Sequence, residues 1–234
     1  MVLQLLGPVG NIHTNLALVT AEFCNVPINH VYVEYKEAMG KEFMKKYPIG
    51  IVPILITEEK DTIYTITAII KYIVRASQKL QGKNGLEETK IDQFFDMAIN
   101  SLYSAVTDVT NSIYGYKAYD ENTVKNGKKQ FEKYLKFFND QLKIDVFLVG
   151  QKLSIADIAL AGVLHFAFRV AFEEKIRLDN PHCLRHVRYI STLQPFSKYF
   201  GRFNTVQKEW EAFKKEGQVK NDNNKKEEQE QKQK

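Results

Sequence analysis

Phe147-Leu148-Val149-Gly150-Gln151-Lys152-Leu153-Ser154-Ile155-Ala156-Asp157 is the stretch that decides the fold of this chain. Ser154 and Asp157 have the spacing of a capping box, in which the hydroxyl takes an orphan helix N–H and the carboxylate reaches back to the cap residue's own N–H. Leu153 and Ile158 occupy the two positions of a hydrophobic staple. From Ile158 to Phe168 the only strongly polar side chain is His165. A helix apolar on nearly every side belongs inside a domain. Gly162 costs such a helix about 1 kcal/mol relative to Ala, which the close approach of another helix would explain. The sequence therefore predicts a central helix over 154–172 in an all-helical domain.

Upstream the pattern differs. Val2 to Leu6 is a short apolar run ended by Gly7-Pro8, as expected of a buried strand. Leu16, Val19, Thr20 and Phe23 repeat at helical spacing, predicting a helix from about Thr14 to Cys24 that stops before Pro27. A second strand is expected over Ile28–Tyr35, then a lysine-rich segment with Phe43 and Tyr47. A strand follows Pro53, a short one lies at Thr62–Tyr64, and a helix carries Ala68, Ile69, Tyr72 and Ile73. Residues 78–88 hold two glycines and few apolar groups and read as a linker. Beyond it, Ile91 to Val109 keeps helical spacing. A second helix sets Phe131, Leu135 and Phe138 against Lys125, Lys129, Lys133 and Lys136, a face that is ordinarily solvated. From Gly217 onward the composition turns to Lys, Glu, Gln and Asn, too polar to offset its ordering entropy. The domain reading is thus 1–77 α/β, 78–88 linker, 89–216 all-helical and 217–234 disordered tail or linker.

Composition narrows the function classes. The chain has 234 residues, 44% hydrophobic and 26% charged, enough for two modest cores. A net charge of +5 permits an acidic or nucleic-acid partner without demanding one. Cys24 and Cys183 lie far apart with no metal-ligand spacing, which argues against a disulfide framework or a metal site and for a reducing compartment. No apolar run is long enough to span a bilayer and no signal peptide is evident, so a cytoplasmic protein without membrane attachment is expected.

The Phe147–Asp157 string resembles the capping box and staple of the C-terminal domain in the glutathione transferase superfamily, and the element order of the first half is that of its thioredoxin-like domain. Within the superfamily, Glu42 to Pro53, Phe147 to Asp157 and Ile190 to Phe196 most resemble the N-terminal domain of the gamma-subunit family of eukaryotic translation elongation factor 1. By that resemblance Pro53 is cis, and Val52 offers its backbone N–H and C=O to a thiol ligand. The family's Glu-Ser pair, which binds the γ-glutamyl end of glutathione, is here Thr65-Ile66, and each lost bond to a charged group is worth about 1.5–3 kcal/mol. A transferase also needs a hydroxyl or thiol after the first strand, because a thiol with a pKa near 8.5 is mostly protonated at neutral pH. Gly7 to Thr14 holds no Tyr, Ser or Cys there and leaves only Asn11, His13 and Thr14 as catalytic candidates.

The resemblance implies a non-catalytic scaffold that requires no cofactor, binds glutathione weakly if at all, and anchors the guanine-nucleotide-exchange subunit of elongation factor 1. The alternatives are an active glutathione transferase, or a module of an aminoacyl-tRNA synthetase assembly that contacts synthetases or tRNA. Family members commonly pair, so a homodimer is compatible. Between residues 177 and 202, Arg177, Arg185, Arg188, Lys198 and Arg202 are accompanied by a single acid, Asp179. Arg177, Arg185, Arg188 and Arg202 are the expected docking residues. Cys24 and Cys183 read as packing residues, and His165 as a hydrogen-bonded core histidine.

Overall fold

The computed structural model describes residues 2–212; the expected tail 217–234 lies outside the described residues. The first half runs β1 (Leu3–Gly7), α1 (Ile12–Cys24), β2 (Ile28–Tyr32), α2 (Tyr35–Ala38), α3 (Lys41–Lys46), β3 (Ile54–Ile56), β4 (Thr62–Tyr64) and α4 (Ile66–Ser77). The sheet order is β2-β1-β3-β4, with β1 and β2 parallel and the other pairs antiparallel. Alternation along a strand sends neighbours to opposite faces. Leu3, Leu5 and Leu55 therefore join the main core with α1 and α4, whereas Leu6 and Ile54 pack with Val33, Ala38 and Tyr47 on the other face.

Helix α1 begins two residues earlier than the periodicity predicts, because Asn11 caps it: Oδ1 accepts the Thr14 N–H at 3.0 Å. It ends at Asn25 in the left-handed conformation, as the Asn-before-Pro27 pattern suggests. Strand β2 stops at Tyr32, short of the expected Tyr35, since Tyr35 opens α2. The segment expected as a linker becomes helical at Gly85, where the Asn84 carboxamide oxygen accepts the N–H groups of Leu86 and Glu87 at 3.1 and 3.0 Å.

The second half continues with α5 (Gly85–Asp96), a π-helical segment (Met97–Leu102), α6 (Tyr103–Ile113), α7 (Glu121–Gln141), α8 (Ile155–Val170), α9 (Glu174–Leu178), α10 (Pro181–Thr192) and α11 (Gln194–Phe200). Helix α8 is buried along its length except at Phe166 and Arg169, and it packs against α1, α5, α6, α10 and α11. A Cβ on Gly162 would lie 2.8 Å from Leu16 Cδ2 and 3.1 Å from Phe200 Cζ, so the glycine admits α1 and α11 together. Through Gly162 the central helix binds the two halves, helped by Asn15 Nδ2 donating to the Tyr199 carbonyl at 3.0 Å and by the Lys198–Glu22 ion pair at 2.9 Å.

The capping box is formed. The Asp157 carboxylate accepts the Ser154 N–H at 2.9 Å, the Ser154 hydroxyl at 2.6 Å and, from the preceding loop, the Leu148 N–H at 2.8 Å. His186 of α10 lies 3.8 Å from the same carboxylate and also meets the Val146 carbonyl at 3.1 Å. This fully buried node joins the 146–148 loop, α8 and α10. At the far end of α8, the Val206 and Trp210 N–H groups donate to the Phe168 and Val170 carbonyls at 3.0 and 3.2 Å, satisfying acceptors that a helix C-terminus leaves open.

Candidate functional site

Strand β1 delivers the chain at Gly7 against Pro53. A Cβ on Gly7 would stand 2.6 Å from Thr14 Oγ1 and 3.3 Å from Pro53 Cβ, so loop, helix start and proline meet at one point. The Val52–Pro53 peptide is cis, and the sheet ladder starts only at Ile54, leaving the Val52 backbone outside it. Thr65 has φ +67° and ψ +139°, a region a β-branched residue occupies at a cost of about 1–3 kcal/mol. Its hydroxyl caps α4 from 3.4 Å of the Ala68 N–H. Ile66 is 8% exposed and turned into the main core, so it presents no donor to a ligand.

The three candidates after β1 divide. Thr14 is fully buried against Gly7. His13 sits behind Tyr103, ring centroids 5.0 Å apart, and burial holds its pKa down at about 4. Asn11 alone reaches open space, and its Nδ2 donates to the hydroxyl of Tyr35. That contact opens onto a cleft of about 680 Å³ between the β1–α1 loop, α2, the C-terminal half of α6 and Phe166 of α8. Tyr35, Tyr103, Tyr114 and Tyr116 line it. The Tyr114 ring lies 12° from parallel with Phe166 and 28° from parallel with Tyr116. Burial raises the pKa of Tyr35 and Tyr114 and pushes Tyr103 up to about 12, so near neutral pH these phenols hold their protons and can donate. Among the described residues no acidic or basic side chain lines the cleft. Such a lining can bind and orient, but it offers no general base.

The docking candidates also divide. Arg177 is 4% exposed; its guanidinium donates to the Phe172 carbonyl at 3.0 Å and lies 5.9 Å from the Phe168 ring centroid. It is a structural residue, contrary to expectation, because the loop after α8 folds over it. Arg185 donates to the carbonyls of Leu142 and Asp145 at 2.6 and 3.2 Å and so fastens the loop after α7. Arg188 and Arg202 are exposed. Cys24, Cys183 and His165 are buried as expected, with His165 among Phe196, Phe200 and Phe203. Among the described residues no cluster of His, Cys, Asp and Glu could hold a metal ion, and no helix is long and apolar enough to cross a membrane.

The family model for the glutathione S-transferase C-terminal domain matches residues 101–193. A probable elongation factor 1-gamma of Arabidopsis thaliana is 26% identical over 197 residues, which are 82% of this chain and 47% of that protein. The glutathione S-transferase-like protein FUS3 of Gibberella fujikuroi is also 26% identical, over 71% of this chain and 81% of its own length. The crystal structure of the GST-like domain of Saccharomyces cerevisiae elongation factor 1-gamma superposes with a TM-score of 0.77 at 18% identity, covering 91% of this chain and 99% of that one. The chain has a glutathione transferase-like fold, and its sequence is similar to proteins named elongation factor 1-gamma. It spans about half the length of the elongation factor relatives it matches.

Sequence reasoning singled out Val52–Pro53, whose peptide is cis, and Thr65–Ile66, and missed the cleft at the β1–α1 loop. Tyr35, Tyr103 and Tyr116 are too far apart in sequence to form a motif. The one available signal was the density of aromatic residues in Tyr114-Gly115-Tyr116-Lys117-Ala118-Tyr119. The buried partner of Asp157, His186, was likewise not singled out, because a histidine inside a helical repeat carries no local mark.

Proposed function

We propose that the chain is a non-catalytic scaffold subunit of the translation elongation factor 1 complex, anchoring the guanine-nucleotide-exchange subunit in the cytoplasm. The observation that carries this reading is the state of the thiol site. Its backbone features persist, in the Val52–Pro53 turn and in Thr65 at φ +67°, while Ile66 is buried in place of a hydroxyl and no acid stands at residue 65. A backbone kept in a costly conformation without its ligand-binding side chains is consistent with a fold retained for what it holds. Similarity to proteins named elongation factor 1-gamma supports the same reading.

The exposed basic surface that remains for docking is Arg188 and Arg202, with Tyr189 beside Arg188. Affinity capture of the tagged chain from its own cytosol, with mass spectrometry of what is retained, is the test. Recovery of the exchange subunit, lost in Arg188→Glu/Arg202→Glu, is the expected result. Recovery of the chain without elongation factor subunits overturns the scaffold role, and capture unaffected by the double variant relocates the docking surface.

A second reading, an active glutathione transferase, is favoured by the cleft at the β1–α1 loop and by the likeness to FUS3. Retention on glutathione resin together with conjugation of chlorodinitrobenzene would establish it. Tight salt-sensitive binding of tRNA would instead favour a synthetase-associated module, since phosphate contacts impose a steep salt dependence.

A further inference from the structure

The sheet face turned away from α1 and α4 is covered over only part of its length. Register places Val31, Leu6, Ile54 and Tyr64 in one row across the four strands, and Asn29, Gln4, Ile56 and Thr62 in the next row of the same face. Partners side by side on neighbouring strands, and residues two apart along a strand, share a face. In the first row Leu6 and Ile54 are buried with Val33, Ala38 and Tyr47, under α2 and α3. The second row has three polar members out of four and stays half-buried or exposed. Cover ends between the rows, and what it leaves is a groove of about 430 Å³.

Two cations line this groove. Lys46 ends α3 with its ammonium 5.3 Å from the ring centroid of the buried Tyr47. Lys60 is set by the β3–β4 turn, which closes on Thr57: the Lys60 N–H donates to the Thr57 carbonyl at 3.1 Å, the Thr57 N–H to the Asp61 carbonyl at 2.9 Å, and the Asp61 N–H to the Thr57 hydroxyl at 3.0 Å. Among the described residues no acidic side chain lines the groove, and the side chains of Gln4, Asn29 and Thr62 have no hydrogen-bond partner. Two like charges brought to one recess repel each other unless an anion joins them. Ammonium groups only donate, which suits an oxyanion, whereas carboxamides both donate and accept, which suits hydroxyl groups. Ile56 is the row's single apolar member, so the recess offers little to an aromatic or lipid ligand. Its volume is within the range of small-molecule sites, roughly 300–1,000 Å³. We infer that the groove binds a small phosphate ester of a polyhydroxylated molecule, its phosphate held by Lys46 and Lys60 and its hydroxyls by Gln4, Asn29 and Thr62. The site shares no residue with the cleft at the β1–α1 loop and stands whether or not the chain is captured with elongation factor subunits.

Calorimetric titration of the full chain with ribose 5-phosphate, inorganic phosphate and ribose tests the inference. Ribose 5-phosphate is expected to bind more tightly than either of its parts. A hydrogen bond to a charged group is worth roughly tenfold or more in affinity. Lys46→Gln and Lys60→Gln should therefore each weaken ribose 5-phosphate about tenfold. Gln4→Leu removes a neutral bond and should weaken it about twofold to tenfold, with inorganic phosphate changed less than about twofold. Lys45→Gln is the control, because Lys45 pairs with Glu42 at 2.6 Å and lies outside the groove; it should change the affinity less than about twofold. Gln4, Lys46 and Lys60 are exposed, so their variants keep the fold. Absence of ribose 5-phosphate binding to the parent chain overturns the inference. So does a loss in Lys45→Gln equal to that in Lys46→Gln, the mark of diffuse attraction to a basic surface, and so does ribose 5-phosphate binding no tighter than inorganic phosphate.

Discussion

Replacing Asp157 with Ala removes the acceptor on which the start of α8 converges. In the native chain its carboxylate takes the Leu148 N–H at 2.8 Å, the Ser154 N–H at 2.9 Å and the Ser154 hydroxyl at 2.6 Å, with no solvent exposure. The hydroxyl can rotate; the two backbone donors cannot. Each buried donor left unpaired costs about 1–3 kcal/mol, and His186, 3.8 Å away, loses a polar neighbour as well. Burial raises the carboxyl pKa while His186 and the three donors oppose the shift, so part of the cost of burying the acid is recovered in the variant. The net expectation is a loss of about 3–5 kcal/mol, a large share of the 5–15 kcal/mol typical of a folded domain. Ser154→Ala, which removes one donor and leaves the carboxylate bonded to two backbone N–H groups, should cost about 1 kcal/mol. Urea unfolding at pH 7, followed by far-ultraviolet circular dichroism, measures both. A loss below about 1 kcal/mol for Asp157→Ala, or equal losses for the two variants, would refute the account of the node as a shared acceptor.

Acid should destabilise the fold in a defined window. His13 and His165 have folded pKa values lowered by burial from 6.5 to about 4. Below pH 6.5 the unfolded chain takes up protons that the folded chain refuses, so stability is full above that value and is lost as pH falls towards 4, at up to about 1.4 kcal/mol per unit for each histidine. Unfolding titrations between pH 7 and 5 should show a combined fall of about 4 kcal/mol, and His165→Leu should halve the slope; an unchanged slope would mean that His165 is protonated in the fold. At Gly162, Val should cost about 1–3 kcal/mol by driving into Leu16 and Phe200. Leu16→Ala should recover part of that loss in the double variant, and strictly additive losses would show that the two sites are not in contact. Arg177→Met should lower the urea midpoint by an equivalent of about 1–3 kcal/mol, because the Phe172 carbonyl loses its donor. Arg188→Glu, on the surface, should change stability by less than about 0.5 kcal/mol, and the reverse ordering would invalidate the division of the basic residues.

The elements that could be read from the chain were those whose signal is local. Ser154 and Asp157 sit one helical turn apart, and Gly7-Pro8 and Asn25 punctuate their own neighbourhoods, so spacing alone located α8, the end of β1 and the stop of α1. Boundaries slipped where a cap or a new helix competed with a repeat: Asn11 began α1 early, and Tyr35 left the expected strand for α2. The arginines show the same limit. Arg177, Arg185 and Arg188 look alike in sequence, yet one is buried under the loop after α8, one fastens a loop and one is free, because each depends on carbonyls at different distances along the chain.

The sequence by itself determined the two-part transferase-like architecture, the buried α8 with its cap, and that no acid stands at residue 65 and no hydroxyl at residue 66, all properties of residue type and short spacing. Only the tertiary structure decided that His186 meets Asp157, that Gly162 admits Leu16 and Phe200, and that Asn11 presents Tyr35 to Tyr103 and Tyr116. Those contacts join residues far apart in the chain, and packing geometry, which no local propensity encodes, is what brings them together.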